Sequence, residues 1–345
     1  MTRLKDFVAL LGLITALAAR GGSAHAQSGQ AETGPPAALQ NARGLRLVAV
    51  TDVARPALRI VLPGHALSDR SIEVLVPEHV TAVGQGSTAA EHLFLPGAGR
   101  PIEPAWRAVG RSLEYRRELS GAVDMVARAT LEDDGVRFQY ELTNRSAVRY
   151  DMITAVTDPR LTGIFHDLRL ERTYVHHSDG FDLLASDVPM RLTLPLERWL
   201  PSRVLASFTW PVPAQRIEQR ADGITYYNKS RAVDLPLIVT RSTDGAWAVA
   251  SFSQAPGNVW SNPELTCQHV DPQASLSPQQ RIVLEVKLLV VRGSLDDALR
   301  EVIRQRGLIR RENATTHDGL RLNDPVGLLR RVGLPSTIAG IPTPQ

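Results

Sequence analysis

Short runs of period-two alternation or β-branched enrichment recur along the first half of this chain: Leu45 to Thr51, Leu58 to Leu62, Ile72 to Val76, Val123 to Leu131, Val136 to Leu142, Ile153 to Val156 and Phe165 to Val175. The second half continues with Val204 to Thr209, Gln215 to Gln219, Ile224 to Tyr227, Leu237 to Arg241, Trp247 to Phe252 and Arg281 to Val291. A period of two places alternate side chains on opposite faces, so each run predicts a strand with one buried side. Asp133-Asp134-Gly135, Ala221-Asp222-Gly223 and Thr243-Asp244-Gly245 each separate two runs and supply the residues that tight hairpins favour. A single sheet of such strands would leave an apolar face wet, so the pattern predicts an all-β fold, a large antiparallel two-sheet sandwich. One helix interrupts it: Leu295, Leu299, Val302 and Ile303 recur at helical spacing, Ser294 and Asp297 form a capping box, and Gly307 follows the last turn. This predicts a C-terminal helix over about residues 295–306.

The N-terminus departs from that pattern. Arg3 and Lys5 precede the apolar run Phe7 to Ala19, and Ala24-His25-Ala26 offers a small-residue cleavage site. The expectation is a signal peptide over 1–26, cleaved near Ala26, and a periplasmic or secreted product. Residues 27–43 are small, polar and Pro/Gly-containing and read as a disordered linker. The β domain is expected over 44–307 and an irregular tail over 308–345. Every later apolar run is broken well short of the ~18 residues a membrane helix needs, so no stable membrane span is expected once the signal is removed.

The net charge of +3 and pI of about 9.2 come almost wholly from arginine, since Lys occurs only at positions 5, 229 and 287. No basic run interleaves with aromatics, so no nucleic-acid partner is expected. Cys267 is the sole cysteine, which rules out an intramolecular disulfide. Gly-rich phosphate loops, a Gly-x-Ser-x-Gly elbow and a His-Glu-x-x-His helix are all missing from the sequence.

Candidate chemistry concentrates in two places. Trp260-Ser261-Asn262-Pro263-Glu264-Leu265-Thr266-Cys267-Gln268-His269-Val270-Asp271 brings together an indole, an amide, carboxylates, a thiol and an imidazole. Strand alternation would aim Cys267, His269 and Asp271 to one side and Gln268 and Val270 to the other. The trio offers S, N and O donors, but it lacks the short two-residue loops of familiar zinc sites, so neither a metal nor a cofactor is expected. In the second cluster, His166 to Gly180, a strand would place Asp167, Arg169 and Glu171 on one wet face. That face serves either as the floor of a sugar groove or as an ordinary solvated sheet. His176-His177 ends the run before the turn-forming Asp179-Gly180, where a function-bearing loop is as open a reading as a backbone-bonded turn histidine.

The strand Gly135-Val136-Arg137-Phe138-Gln139-Tyr140-Glu141-Leu142-Thr143-Asn144 ends in a polar turn at Arg145-Ser146, and Cys267-Gln268-His269-Val270-Asp271-Pro272 leads through Ser277-Pro278 into a long strand ending in Gly. In these features the chain resembles the galactose mutarotase-like supersandwich superfamily, in particular sugar-epimerase-like bacterial secreted proteins, over about residues 45–305. The resemblance implies a large two-sheet β fold and a carbohydrate or glycan ligand. It also implies proton transfer at a sugar centre, with His176 or His269 in the histidine's part and Glu171 or Glu264 in the acid's. The resulting expectation is catalysis by His176, His269 and Glu171, and ligand binding by Arg169, Arg172, His177, Asp179, Trp260, Asn262, Glu264 and Asp271. This describes an exported carbohydrate-binding or carbohydrate-active protein, with or without turnover. The alternative is a non-catalytic periplasmic or cell-surface module that binds an envelope polymer or a partner protein. Neither the sugar nor an oligomeric state is specified by the residues, and the first reading requires His176 and His269 to open into one cavity.

Overall fold

The computed structural model describes residues 37–50, 55–95, 106–208, 212–254, 256 and 259–306. The expected signal peptide, the first part of the linker and the tail lie outside the described residues. Among those described, no helix is long and apolar enough to cross a membrane.

Two large antiparallel sheets carry the fold. The seven-stranded sheet runs β1 (Ala38–Gln40), β2 (Arg46–Val50), β3 (Ala57–Val61), β4 (Ile72–Gly84), β10 (Tyr150–Leu161) and β19 (Gln273–Leu276), with β5 (Glu91–Phe94) also paired to β4. The nine-stranded sheet runs β12 (Gly180–Leu183), β11 (Thr173–His177), β16 (Leu237–Arg241), β17 (Trp247–Phe252), β20 (Arg281–Arg292), β9 (Gly135–Asn144), β8 (Val123–Glu132), β7 (Ser112–Leu119) and β6 (Arg107–Val109). The three turns read from the sequence close the hairpins β8–β9, β14 (Ile217–Gln219) to β15 (Thr225–Asn228), and β16–β17. A third, four-stranded sheet was not foreseen: β14 and β15 continue to β13 (Ser202–Ala206) and β18 (Val259–Ser261), and β13 pairs with β15 in parallel.

Alternation decides what lies between the large sheets. Leu47, Ile60, Ile72, Val74 and Val80 of one sheet meet Leu113, Met125, Phe138, Ile282 and Leu284 of the other in a single buried cluster. Two buried hydroxyls pair across this interface: Tyr115 Oη donates to Val76 O at 2.7 Å and Tyr140 Oη lies 2.7 Å from Thr157 Oγ1. The C-terminal helix, α2 (Leu295–Arg306, after the short α1 at Leu196–Trp199), packs on the opposite face of the nine-stranded sheet against Leu237, Val239, Ala248 and Phe252. Its capping box forms as expected: Ser294 N donates to Asp297 Oδ2 at 2.7 Å and Asp297 N to Ser294 Oγ at 3.2 Å.

Three expectations are corrected. The linker does not extend to residue 43, because Ala38–Gln40 adds an edge strand to β2, and Asn41 Oδ1 accepts the amides of Arg43 and Leu45 to turn the chain. Residues 166–172 are not strand: the Asp167 carboxylate accepts the amides of Glu171 and Arg172 at 2.9 and 2.7 Å, which curls this stretch into a turn, and β11 starts at Thr173. On α2, Ala298 and Val302 are buried while Ile303 is 62% exposed, so the helix is rotated relative to the expected stripe. Gln305 is buried on the side so turned inward, its amide donating to Asp134.

Asp134 belongs to a buried ionic group. Lys287 of β20 is fully buried and its ammonium contacts Glu132 and, at 2.9 Å, Asp134. Burial opposes the charge on both carboxylates, but Arg137 and Lys287 outweigh it at Glu132, and Lys287 and Gln305 at Asp134, so both sit below the ordinary carboxylate range. A depressed folded value stabilises above the unfolded pKa of about 4 and is lost as pH falls through the lowered folded values. Acid unfolding of the wild type should therefore steepen below about pH 4, and K287M should flatten that limb while leaving two carboxylates short of a partner, costing about 3 kcal/mol at neutral pH by urea denaturation. At Gly135, where β9 starts beside β20, a Cβ would run into the carbonyl of Leu288. G135A should lower stability by about 1–3 kcal/mol in the same assay.

Candidate functional site

The chain from 265 to 276 is laid along β10 by its backbone. Trp260 and His269 exchange two hydrogen bonds, N to O, at 3.1 and 3.0 Å, closing a loop whose turn is made by Asn262 Oδ1 accepting Leu265 N at 2.9 Å. On the return, Leu161 N donates to Leu265 O and Gln268 N to Pro159 O, after which β19 pairs with the start of β10. Residues 265–276 thus extend the seven-stranded sheet beyond β10. The expected alternation holds here. Gln268 points between the sheets, donating to Thr240 Oγ1 and Val249 O and accepting from Ser251 Oγ. Cys267, His269 and Asp271 point the other way.

On that outward side they meet a residue the sequence reading passed over. Thr157 and Leu161 of β10 turn toward the interior, so Asp158 and Arg160, at alternate positions, turn away from it. A register shift between Val156 and Asp158 in the β10–β4 ladder re-aims this end of the strand. His269 Nε2 then lies 3.4 Å from Asp158 Oδ1, and His269 Nδ1 lies 3.4 Å from Asp271. All four of Asp158, Cys267, His269 and Asp271 are buried. Burial alone would strip the charge from His269, but the flanking thiol and carboxylates hold its imidazolium well above the ordinary histidine range. Burial likewise opposes the charge on Asp158, which His269 and Arg160 outweigh, so the carboxyl sits below its usual range. Burial pushes the Cys267 thiol up.

Arg160 carries the cluster to the surface. Its guanidinium donates to Asp158 Oδ2 at 2.5 Å and to Glu78 Oε1 at 3.2 Å, and both Arg160 and Glu78 are about a quarter exposed. Beside them on β4 and β5, Thr81 Oγ1 lies 2.8 Å from both His79 Nδ1 and His92 Nδ1, and the two imidazoles meet edge to face. Glu78, His79, His92, Asp158 and Arg160 were absent from the sequence reading. The available signal was polar residues inside otherwise apolar stretches: Glu78-His79 within Ile72 to Val83, and Asp158-Pro159-Arg160 after Ile153 to Val156.

The other expected residues scatter. His176 lies on β11 in the other large sheet, 2.7 Å from Asp234 and against Phe181, and it shares no contact with His269. The two imidazoles are therefore not brought together, because His176 is tied to the 231–234 loop through Asp234 while His269 is held by β10. His177 is buried with Nδ1 on Ala232 O at 2.7 Å. Asp179 is exposed and pairs with Arg231. Glu171 is exposed at the Asp167 turn. Arg169 and Arg172 spend their guanidiniums on backbone carbonyls, of Arg191 and Leu194 and of Ile164, His166 and Arg241 respectively, and so brace loops. Trp260 stacks flat on His269, ring centroids 3.8 Å apart, and Arg203 lies over the same indole. The face that His269 covers is closed to a sugar. Glu264 accepts from Ser202 N and Arg203, and Asn262 is buried in its turn. Of the predicted site residues, Trp260, His269 and Asp271 come together.

No protein-family model matches the chain, and no curated protein sequence matches it. Solved structures similar to it include a protein of Synechocystis sp. PCC 6803 (14% identity, TM-score 0.41, covering 72% of this chain and 92% of that one). Another is a galactose mutarotase-like protein of Lactobacillus casei ATCC 334 (10% identity, TM-score 0.42, 74% and 100%). A third is the α-N-acetylgalactosaminidase of Bifidobacterium bifidum in complex with GalNAc (12% identity, TM-score 0.42, 77% and 38%).

Proposed function

We propose that this chain is an exported carbohydrate-active protein whose ligand meets the outward face of β4, β5 and β10, above the Asp158–His269 contact. One observation carries the reading: the part-exposed Arg160 and Glu78 meet over the buried Asp158–His269 ion pair, with His79 next to Glu78 on β4. Sugar hydroxyls both donate and accept, so they are matched by a planar guanidinium beside a carboxylate. The resemblance of Cys267–Pro272 to sugar-epimerase-like segments agrees with this ligand class.

The same face holds a proton donor and a hydrogen-bonding partner. Burial first, then the charge on Asp158, raises the Glu78 carboxyl above the ordinary range, so it retains a proton more readily than a free glutamate. Burial, then His92 and His269, lowers His79 to about 4, which leaves a neutral imidazole at pH 7. A carboxyl that retains its proton beside a guanidinium suits acid catalysis at a sugar's ring oxygen, and the neutral His79 imidazole offers a hydrogen-bonding partner to a sugar hydroxyl. The site thereby moves from the His176 cluster to β4 and β10.

Polarimetry on freshly dissolved α-D-galactose and α-D-glucose should show accelerated mutarotation by the wild type, with E78Q reducing the rate by about 100-fold or more. A panel of aldoses that changes neither the rate of anomerisation nor the melting temperature would remove the proposal. Loss of activity in H176A with E78Q unaffected would return the site to β11.

A further inference from the structure

Among the described residues, Asp158, Cys267 and His269 form a group whose ligand atoms all lie within 4.8 Å of one another, each side chain buried. We propose that these three side chains bind a transition-metal ion of the zinc class, through Asp158 Oδ1, Cys267 Sγ and His269 Nε2. The inference stands independently of the carbohydrate reading.

The donor set comes first. Sulfur, imidazole nitrogen and carboxylate oxygen together suit a borderline-soft divalent ion, whereas calcium and magnesium take oxygen. The sequence showed only the ligands on one segment, and His269 with Cys267 and Asp271 lacks the loop spacing of a metal site. The fold changes the set by bringing Asp158 in from β10, across more than a hundred residues.

Spacing is the second argument. Asp158 Oδ1 and His269 Nε2 are 3.4 Å apart. No hydrogen bond joins this pair, whereas His269 Nδ1 and Asp271 Oδ1, also 3.4 Å apart, are aligned for one. Two atoms each about 2.0–2.1 Å from a tetrahedral ion stand about 3.3–3.4 Å apart, so the separation is the edge of a zinc tetrahedron. Third, Asp158 Oδ1 is buried and has no hydrogen-bond partner among the described residues, although Oδ2 of the same carboxylate is held by Arg160 at 2.5 Å. That oxygen faces the His269 imidazole at 3.4 Å without a hydrogen bond, so an ion seated between the two would meet both atoms. Fourth, Asp271 lies 3.4 Å from Nδ1, the far nitrogen of His269. A carboxylate aligned with Nδ1 keeps the hydrogen on that nitrogen and strengthens the imidazole as a ligand, and an ion at Nε2 takes the place of the imidazolium's second proton, which leaves to solvent. Trp260, stacked flat on His269, keeps the ring from turning away. Three protein ligands leave a fourth position for water or another donor, the pattern of zinc sites that remain open.

The test uses the full chain, stripped with a chelator and titrated with Zn²⁺ and with Co²⁺ as a spectroscopic reporter. Wild type should take up one equivalent, and bound Co²⁺ should show a thiolate-to-cobalt absorption in the near ultraviolet that C267S abolishes. D271N should weaken binding by about 10–100-fold without removing that absorption, as an outer partner of a ligand does. Failure of a folded wild type, its fold confirmed by circular dichroism, to bind either ion overturns the proposal, as does a cobalt spectrum that C267S leaves unchanged. If C267S does not fold, X-ray absorption at the zinc edge of the wild type decides: one sulfur ligand sustains the assignment and none overturns it.

Discussion

An imidazole, a thiol and two carboxylates buried side by side impose the constraint on which the candidate site rests. No one of these groups could be charged alone in that position, because transfer of an isolated ion out of water costs many kcal/mol. They are tolerable together because His269 stands between Asp158 and Asp271, and Arg160 balances the second oxygen of Asp158. The backbone must therefore hold two remote segments in fixed register. It does so through the Trp260–His269 bridge and the bonds from residues 265 and 268 to β10.

The sandwich makes that register rigid. Gln268 is the link, since its amide reaches Thr240, Val249 and Ser251 of the nine-stranded sheet while its neighbours on either side face outward. A buried amide with each bond satisfied fixes both position and rotation of the segment, because any slip by one residue would bury a charged group between the sheets and expose the amide. The cross-sheet hydroxyl bonds of Tyr115 and Tyr140 hold the two layers at the same ends of β4 and β10 that carry the polar residues.

The two proposals use different layers of one structure. Glu78, His79 and Arg160 are within reach of solvent and suited to a polar ligand; Asp158, Cys267 and His269 lie beneath them and suit an ion. Arg160 touches both layers, through Glu78 on one side and Asp158 on the other. A charge placed on the buried trio would thus be felt at the surface carboxylate through a single guanidinium.

Period-two patterning and turn chemistry are local properties, and they were legible in the chain: the β class, the hairpins after Glu132, Gln219 and Arg241, the C-terminal helix with its Ser294–Asp297 cap, and the common direction of Cys267, His269 and Asp271. Partners across the fold were not legible, because a side chain's direction on its own strand says nothing of what the neighbouring strand presents. The Asp167 turn shows the local failure: its carboxylate bonds Glu171 and Arg172 amides in preference to a ladder, so a run that reads as strand curls, and Arg169, Glu171 and Arg172 leave the expected face. His176 and His269 show the long-range one, both plausible by composition, one bound to Asp234 and the other to Asp158. Local sequence decides which face a residue takes; only the closing of β10 against β4 and the 265–271 segment decides which charges share that face, since burial forces remote ionisable groups to pair where the layers bring them together.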